Sequence, residues 1–286
     1  MATLLVILAH PDDESFGPGG TLAKYAYHGT AVHYLCGTRG ESGTVDVRHL
    51  NGYADVAELR TAELMCAAKT LRLAGVHFLG YRDSGMAGAV GNGAPGTLHA
   101  APLDEVAERI AGFIEQLQPD AIITHDQYGG YGHPDHIKLH QATLRAYELR
   151  YGITWKLEPN GLWSVLGQNA PAPRLYFTVI PKRLLKLAVR IMPLFRLDPR
   201  RFGRNQDIDL VQIASWDVPI TTRIDTRRYA RIKQAASDCH ASQQLPTARN
   251  RLVRFLFRRN QGFEYFARAY PPYRRGEKLE TGLFGD

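Results

Sequence analysis

Cysteine is scarce in this chain, with three in 286 residues (Cys36, Cys66 and Cys239), far apart and without a CxxC pair. That scatter excludes a disulfide framework and a thiolate zinc finger, and it fits a reducing cytosol. Long apolar runs are missing too, since none approaches the roughly 18 residues that a membrane span needs. Residues 1–10 have neither a basic leader nor a small-residue cleavage site, so they read as the start of a folded chain rather than a signal peptide. Low-complexity linkers and internal repeats are also lacking. What is present is ample core material: 44% hydrophobic and 10% aromatic residues exclude a disordered chain. A single domain is expected over residues 1–286, with a catalytic α/β core at 1–180 and a C-terminal elaboration at 181–286.

The net charge of +7 suggests nucleic acid until its distribution is read. Residues 181–204 hold eight cations (Lys182, Arg183, Lys186, Arg190, Arg196, Arg200, Arg201 and Arg204) against Asp198 alone, so the rest of the chain is neutral overall. A surplus confined to one segment is not the footprint of a nucleic-acid surface.

Hydrophobic patterning alternates between strand and helix. Residues 3–9 form an apolar, β-branched run that suits a strand covered on both faces, and it stops at His10-Pro11. Further strands are expected at 31–36, 76–79, 120–124 and 175–180, with helices at 21–28, 54–73, 103–117 and 134–150. Pro134 suits a first helical turn. The glycine-rich stretch after residue 79 is long for a connection in a compact domain, a length usual for functional loops. Beyond residue 181, helices are expected around 183–192, 226–237 and 251–258, and a last strand at 264–269. The pattern predicts an α/β fold, a Rossmann-like three-layer sandwich with a mainly parallel sheet.

Two motifs carry chemistry. His10-Pro11-Asp12-Asp13-Glu14 stands where the first strand ends, and open α/β sheets bind ligands outside the carboxyl ends of their strands. Alone, the motif reads equally as part of a metal site or as a helix cap. His133-Pro134-Asp135-His136 follows the strand at 120–124 and the turn Gly129-Gly130. Its two imidazoles, three residues apart near a helix start, suit metal or acid–base work, with a polar cap as the bland alternative. Together the motifs place imidazoles and carboxylates at two strand ends of one sheet, without thiolates, which points to metal-assisted hydrolysis.

AHPDDE followed by GHPDH resembles the LmbE-like / PIG-L-like family of zinc-dependent N-acetylglucosaminyl de-N-acetylases, its mycothiol-pathway members most of all. The likeness spans residues 3–150 and returns at 235–243. It implies one zinc ion per chain, a small-molecule N-acetyl sugar conjugate as substrate, and release of acetate. By this resemblance His10, Asp13 and His136 are the zinc ligands and Asp12 is the general base. His133 polarises the amide or, protonated, stabilises the oxyanion, with Asp135 orienting it. Tyr131 matches a mobile active-site tyrosine. Gly40-Glu41-Ser42-Gly43, Arg60-x-x-Glu63 and Tyr81-Arg82-Asp83-Ser84-Gly85-Met86 match further family segments, which makes Glu41, Arg60 and Asp83 substrate contacts. His240-x-Ser242-Gln243 matches a C-terminal motif expected to pack or orient the site.

Other readings stay open at this level. An amidase cutting a larger amide, such as a thiol conjugate or N-acyl glycoside, would use the same residues. A nucleotide-binding protein would need a glycine-rich loop after the first strand, where this chain has carboxylates that repel phosphate. Within 181–204, the spacing of Leu184, Leu187, Ala188 and Ile191 is compatible with a packed helix with a solvated basic face, with a helix lying on an anionic membrane, or with a basic lid for an anionic substrate group.

Overall fold

A computed structural model describes residues 1–195, 197–202, 206, 208–244, 262–274 and 276–285. In chain order the strands are β1 (Thr3–Leu8), β2 (Ala31–Thr38), β3 (Gly75–Tyr81), β4 (Ala121–Thr124), β5 (Thr154–Leu157), β6 (Trp163–Gly167), β7 (Arg174–Val179), β8 (Thr222–Asp225) and β9 (Phe263–Tyr270). The helices are α1 (Asp13–Phe16), α2 (Gly19–Tyr27), α3 (Val56–Leu71), α4 (Leu103–Leu117), α5 (Gly129–Gly132), α6 (Pro134–Tyr151), α7 (Lys182–Ile191), α8 (Leu210–Ser215) and α9 (Ala230–Cys239).

Among the described residues, seven strands form one sheet in the order β3-β2-β1-β4-β7-β9-β8. The pairs from β3 through β7 are parallel, whereas β9 runs antiparallel to both β7 and β8. β1 explains the layering by itself. Leu5, Ile7 and Ala9 enter one core, and Leu4, Val6 and Leu8 enter the other. α4 and α6 cover the first face through Val106, Ile110, Leu139 and Tyr147; α2, α3 and α9 cover the second through Leu22, Leu64, Leu71 and Ala236. Each buried Leu or Ile contributes about 1.5–3 kcal/mol relative to exposure, so a strand that is apolar on both sides has no stable place except inside such a sandwich.

The expected α/β sandwich is therefore observed, and element bounds agree to within a few residues. The hairpin β5–β6 and the edge strand β8 had no counterpart in the sequence reading. Those strands are short and mostly half-exposed or exposed, so they lack a continuous apolar run. The helix expected around 251–258 lies outside the described residues.

One expectation is corrected. Cys66 on α3 and Cys239 at the end of α9 form a disulfide, with Cα atoms 5.8 Å apart across 173 residues of sequence. Linear spacing hid the pair because α9 packs on α3, which brings distant residues into register. The scattered cysteines therefore lend no support to a reducing compartment. Among the described residues no helix is long and apolar enough to cross a membrane.

Cross-linking residues this far apart restricts the unfolded chain, a stabilisation of about 2–4 kcal/mol. Cys66→Ser should lower the unfolding free energy by that amount in urea titrations, and reductant should move the wild type to the same curve. A wild-type curve that ignores reductant would show that the bond does not form in solution.

Candidate metal centre

Because β1 lies between β2 and β4, the chain reverses direction across the sheet beside β1, and a crevice opens at the carboxyl ends of β1 and β4. β1 delivers residues 9–14 to this crevice, and β4 delivers His125 and the α5–α6 corner. α6 begins at Pro134, and His133 caps it by accepting the Asp135 N–H on Nδ1 at 3.2 Å. Gly129 makes the corner. Its φ is +62°, and a Cβ there would lie 2.9 Å from the Cβ of His136.

Three ligand-type atoms converge. His10 Nδ1 is 3.1 Å from His136 Nε2, and Asp13 Oδ2 is 3.7 Å and 3.4 Å from those nitrogens. Ligands bound at about 2.0–2.2 Å in a tetrahedron stand roughly 3.4 Å apart, so the set fits a divalent ion of zinc type with a position left over. Asp13 Oδ2 is held by the amides of Ala9 (3.2 Å) and His10 (2.9 Å). Behind His10, Nε2 faces Asp135 Oδ2 at 3.3 Å and Asp83 Oδ1 at 3.5 Å. Carboxylates on the far nitrogen fix the tautomer and leave Nδ1 free to bind a metal. Burial alone would lower the His10 pKa, but Asp83, Asp135 and Asp13 outweigh it and raise it well above the ordinary value. Burial would likewise raise Asp83, which the facing His10 instead holds well below the usual carboxylate range.

Asp135 therefore serves a different partner from the one expected. Its carboxylate faces His10, not His133, and is gripped by Ser84 through Oγ (2.5 Å) and the backbone amide (3.0 Å). Of the two roles open to His133, its surroundings favour the uncharged one. Burial, with His10 beside it, pulls its pKa down to about 4, so it is a neutral imidazole. With Nδ1 accepting from Asp135 N–H, the proton resides on Nε2, which remains a donor.

Asp12 stands off the ligand set in a backbone conformation that L residues rarely adopt, with φ at 121°. Three groups hold it there. Arg60, only 4% exposed, donates from Nη2 to Asp12 Oδ2 (2.9 Å) and Pro11 O (2.5 Å), and from Nη1 to Gly40 O (2.9 Å). A Cβ at Gly40 would lie 2.1 Å from that Nη1, so only glycine fits. Glu14 accepts the Asp12 amide at 3.0 Å on one oxygen, and Ser15 Oγ and His240 Nε2 (2.7 Å) on the other. Burial raises the Asp12 pKa to about 6, against the opposing pull of Arg60. Glu63, one turn along α3 from Arg60, receives the Ser242 amide and hydroxyl at 2.8 and 2.7 Å. The Arg60-x-x-Glu63 and His240-x-Ser242 segments are thus two halves of one clamp.

Glu41 accepts the Asp83 amide at 3.0 Å, so both belong to one loop wall. Tyr131 is half-buried, with its ring 5.0 Å from that of His136, and burial pushes its phenol pKa up. Every site residue named from the sequence therefore gathers around this crevice, Arg60 as the buried partner of Asp12.

Two residues escaped the sequence reading. Ser84 is visible only as part of a matched segment. His125 follows β4 as His10 follows β1; it stacks on His136 with ring centroids 3.8 Å apart and accepts the Ala9 amide at 3.1 Å. A histidine placed directly after a buried strand was the available signal. Asp13, His125 and His136 also lie close enough to hold an ion. His140 is buried one turn deeper, bonded through Nδ1 to His125 O. A cavity of about 360 Å³ leads outward from Asp13, His125, Tyr131 and His136 between Phe16, Thr178–Pro181 and Phe263–Phe266.

Comparison with known proteins bears on this geometry. A family model described as "PIG-L: GlcNAc-PI de-N-acetylase" matches residues 5–147. A 1D-myo-inositol 2-acetamido-2-deoxy-alpha-D-glucopyranoside deacetylase from Thermobifida fusca is 34% identical over 293 residues, covering 98% of each chain. A deacetylase of the same name from Geodermatophilus obscurus is 33% identical over 249 residues, covering 84% of this chain and 82% of its own. Among solved structures, the N,N'-diacetylchitobiose deacetylase from Pyrococcus horikoshii aligns with a TM-score of 0.58 at 19% identity, covering 93% of this chain and 83% of the other, a likeness of fold.

Removing a carboxylate behind a ligating histidine weakens metal binding by about 10–100-fold. Asp135→Asn should do so in competition with a chromophoric chelator, with secondary structure unchanged. The clamp titrates separately. Burial would lower the His240 pKa, but Glu14 raises it above the ordinary value near 6.5. Its stabilisation is thus fully present below about pH 6.5 and is lost as pH rises through the raised value. His240→Ala should cost about 3 kcal/mol at pH 6, as for a broken buried pair, and less at pH 9 in urea titrations.

Proposed function

The chain belongs to the PIG-L, or LmbE-like, de-N-acetylase family, and on that premise we propose that it hydrolyses the acetamide of an N-acetylglucosamine-type conjugate to acetate and a free amine. The observation that carries this reading is the division between Asp13, which joins His10 and His136 in a convergent ligand set, and Asp12, which is held off that set by Arg60.

His10, Asp13 and His136 would hold one zinc ion, which when bound supplies an acidified water and draws charge onto the amide oxygen. Asp12 accepts a proton from the attacking water. A carboxyl tuned to about 6 is mostly ionised at neutral pH, yet basic enough for the transfer. His133 donates from Nε2 toward the oxygen where negative charge develops, and it does so as a neutral imidazole. Tyr131, with its phenol kept protonated, supplies a second donor on the same side. As the C–N bond breaks, the proton on Asp12 passes to the departing nitrogen, so no covalent enzyme intermediate is required. Glu41, on the loop wall, is the substrate-side acceptor for sugar hydroxyls, and Asp83, buried behind His10 with its oxygens taken by the Gly85 and Ser42 amides, acts by holding that wall and His10 in place. Arg60 acts through Asp12 by holding its carboxylate in place.

The substrate is a small-molecule sugar conjugate. The reading keeps a cytoplasmic location, a compartment in which the exposed Cys66 leaves its cross-link open to reduction. The basic stretch 181–204 begins at Pro181, which lines the cavity.

The test is amine release from a panel of N-acetylglucosaminides and longer N-acyl analogues, with Asp12→Ala and wild type at matched zinc content. Loss of a general base lowers the rate by about 10²–10⁴-fold, and Asp12→Ala should show that loss while still holding zinc. Faster release from longer acyl groups would identify an amidase of larger amides instead. Zinc-loaded wild type that releases no amine from any member would overturn the assignment.

A further inference from the structure

α7 carries one apolar stripe more than its packing uses. At about 100° per residue, Leu185, Val189 and Met192 fall on one face, are half-buried, and lie on a helix that rests against α8. Leu187, Ile191 and Leu194 fall on the opposite face and are exposed. Leu187 is 53% exposed, Leu194 81% and Phe195 70%, and the exposed Leu197 continues the patch. Lys186 and Arg190 project between the two faces, and Arg200 and Arg201 follow the patch, all four exposed. Arg200 has a carboxylate partner, Asp209 at 3.4 Å; among the described residues Lys186, Arg190 and Arg201 have none.

Exposed leucine and phenylalanine beside unpaired cations constrain the partner. A nucleic acid would use the cations and leave the apolar stripe in water. A second copy of this face would bring one strongly cationic segment against another, which is unfavourable. Residues 249–259 of the same chain cannot neutralise the patch, since they add five arginines and no acid. An anionic bilayer satisfies both features at once, with acyl chains for the stripe and headgroup phosphates for the cations.

We propose that α7 and the turn Met192–Phe195 dock this protein on the surface of an anionic lipid bilayer. Leu187, Ile191, Leu194 and Phe195 enter the interface, and Lys186 and Arg190 lie at headgroup level. Pro181 both precedes α7 and lines the cavity that reaches Asp13, His125 and His136, so docking brings that cavity close to the headgroup layer. The docking rests on the surface alone and stands apart from the de-N-acetylase assignment.

The experiment is co-sedimentation of the full-length protein with vesicles of phosphatidylcholine alone or with about a third phosphatidylglycerol. Wild type should sediment with the anionic vesicles and not with the neutral ones, less so as salt rises. Leu194→Glu/Phe195→Glu should lower the partition coefficient tenfold or more. Lys186→Glu/Arg190→Glu should lower it by about thirtyfold or more, as expected for removing two interfacial cations and adding two repelled charges, and should flatten the salt dependence. Thermal melts and metal content of both variants should match wild type, since all four residues are exposed and outside the site. Absence of wild-type binding at low salt would overturn the proposal. So would binding undiminished in both variants, which would assign the affinity to another basic segment such as 249–259.

Discussion

The site depends on holding one residue in a conformation it would not adopt alone. Asp12 sits at φ 121°, where a non-glycine residue costs about 1–3 kcal/mol, and relaxing it would swing its carboxylate away from the ligand set. The restraint comes from three places in the chain. Arg60 on α3 takes its carboxylate and the carbonyl before it, Glu14 takes its amide, and His240 at the end of α9 holds Glu14. Two buried ion pairs therefore do geometric work, and the burial that makes them necessary also lifts Asp12 toward a useful basicity.

This arrangement separates tasks among similar groups by environment. Asp12, Asp13, Asp83 and Asp135 are all carboxylates around one crevice. Backbone amides gather Asp13 into the ligand set, Ser84 fixes Asp135 behind His10, an opposing cationic ring depresses Asp83, and burial raises Asp12. The imidazoles divide likewise. His10 lies among carboxylates and favours its charged form, whereas His133, His136 and His125 lie among one another and favour the neutral one. Neutral imidazole is the form that ligates a metal or donates without carrying charge, so His10 has to release a proton when an ion binds.

Much of this was legible from the chain because the signals were local. A two-sided apolar strand such as residues 3–8 announces a covered parallel sheet, and the reversal beside β1 follows from topology, so the crevice was foreseeable. The two HPD motifs lie at strand ends, where side chains must converge. Partners set by tertiary packing were not legible. Asp135 is only two residues from His133 in sequence yet serves His10, because the first turn of α6 points its carboxylate across the crevice. Arg60 was matched as a substrate contact, but a helix packed beneath the β1 loop turns its guanidinium inward. The Cys66–Cys239 bond likewise depends on how α9 lies on α3, which no spacing rule encodes.

The antiparallel strand β9 lies between β7 and β8, although it follows both in the chain. The candidate ligand set is complete once residue 136 has been made, and the parallel part of the sheet once residue 179 has. The open edge of β7 must then wait for residues 263–270. At about 5–20 residues per second on the ribosome that gap lasts roughly 4–17 s, during which an unpaired strand edge is exposed, and for about the first three quarters of it Asp12 also lacks its His240 support. A nascent chain thus passes through an interval in which the candidate ligand set is present while the β7 edge is unpaired.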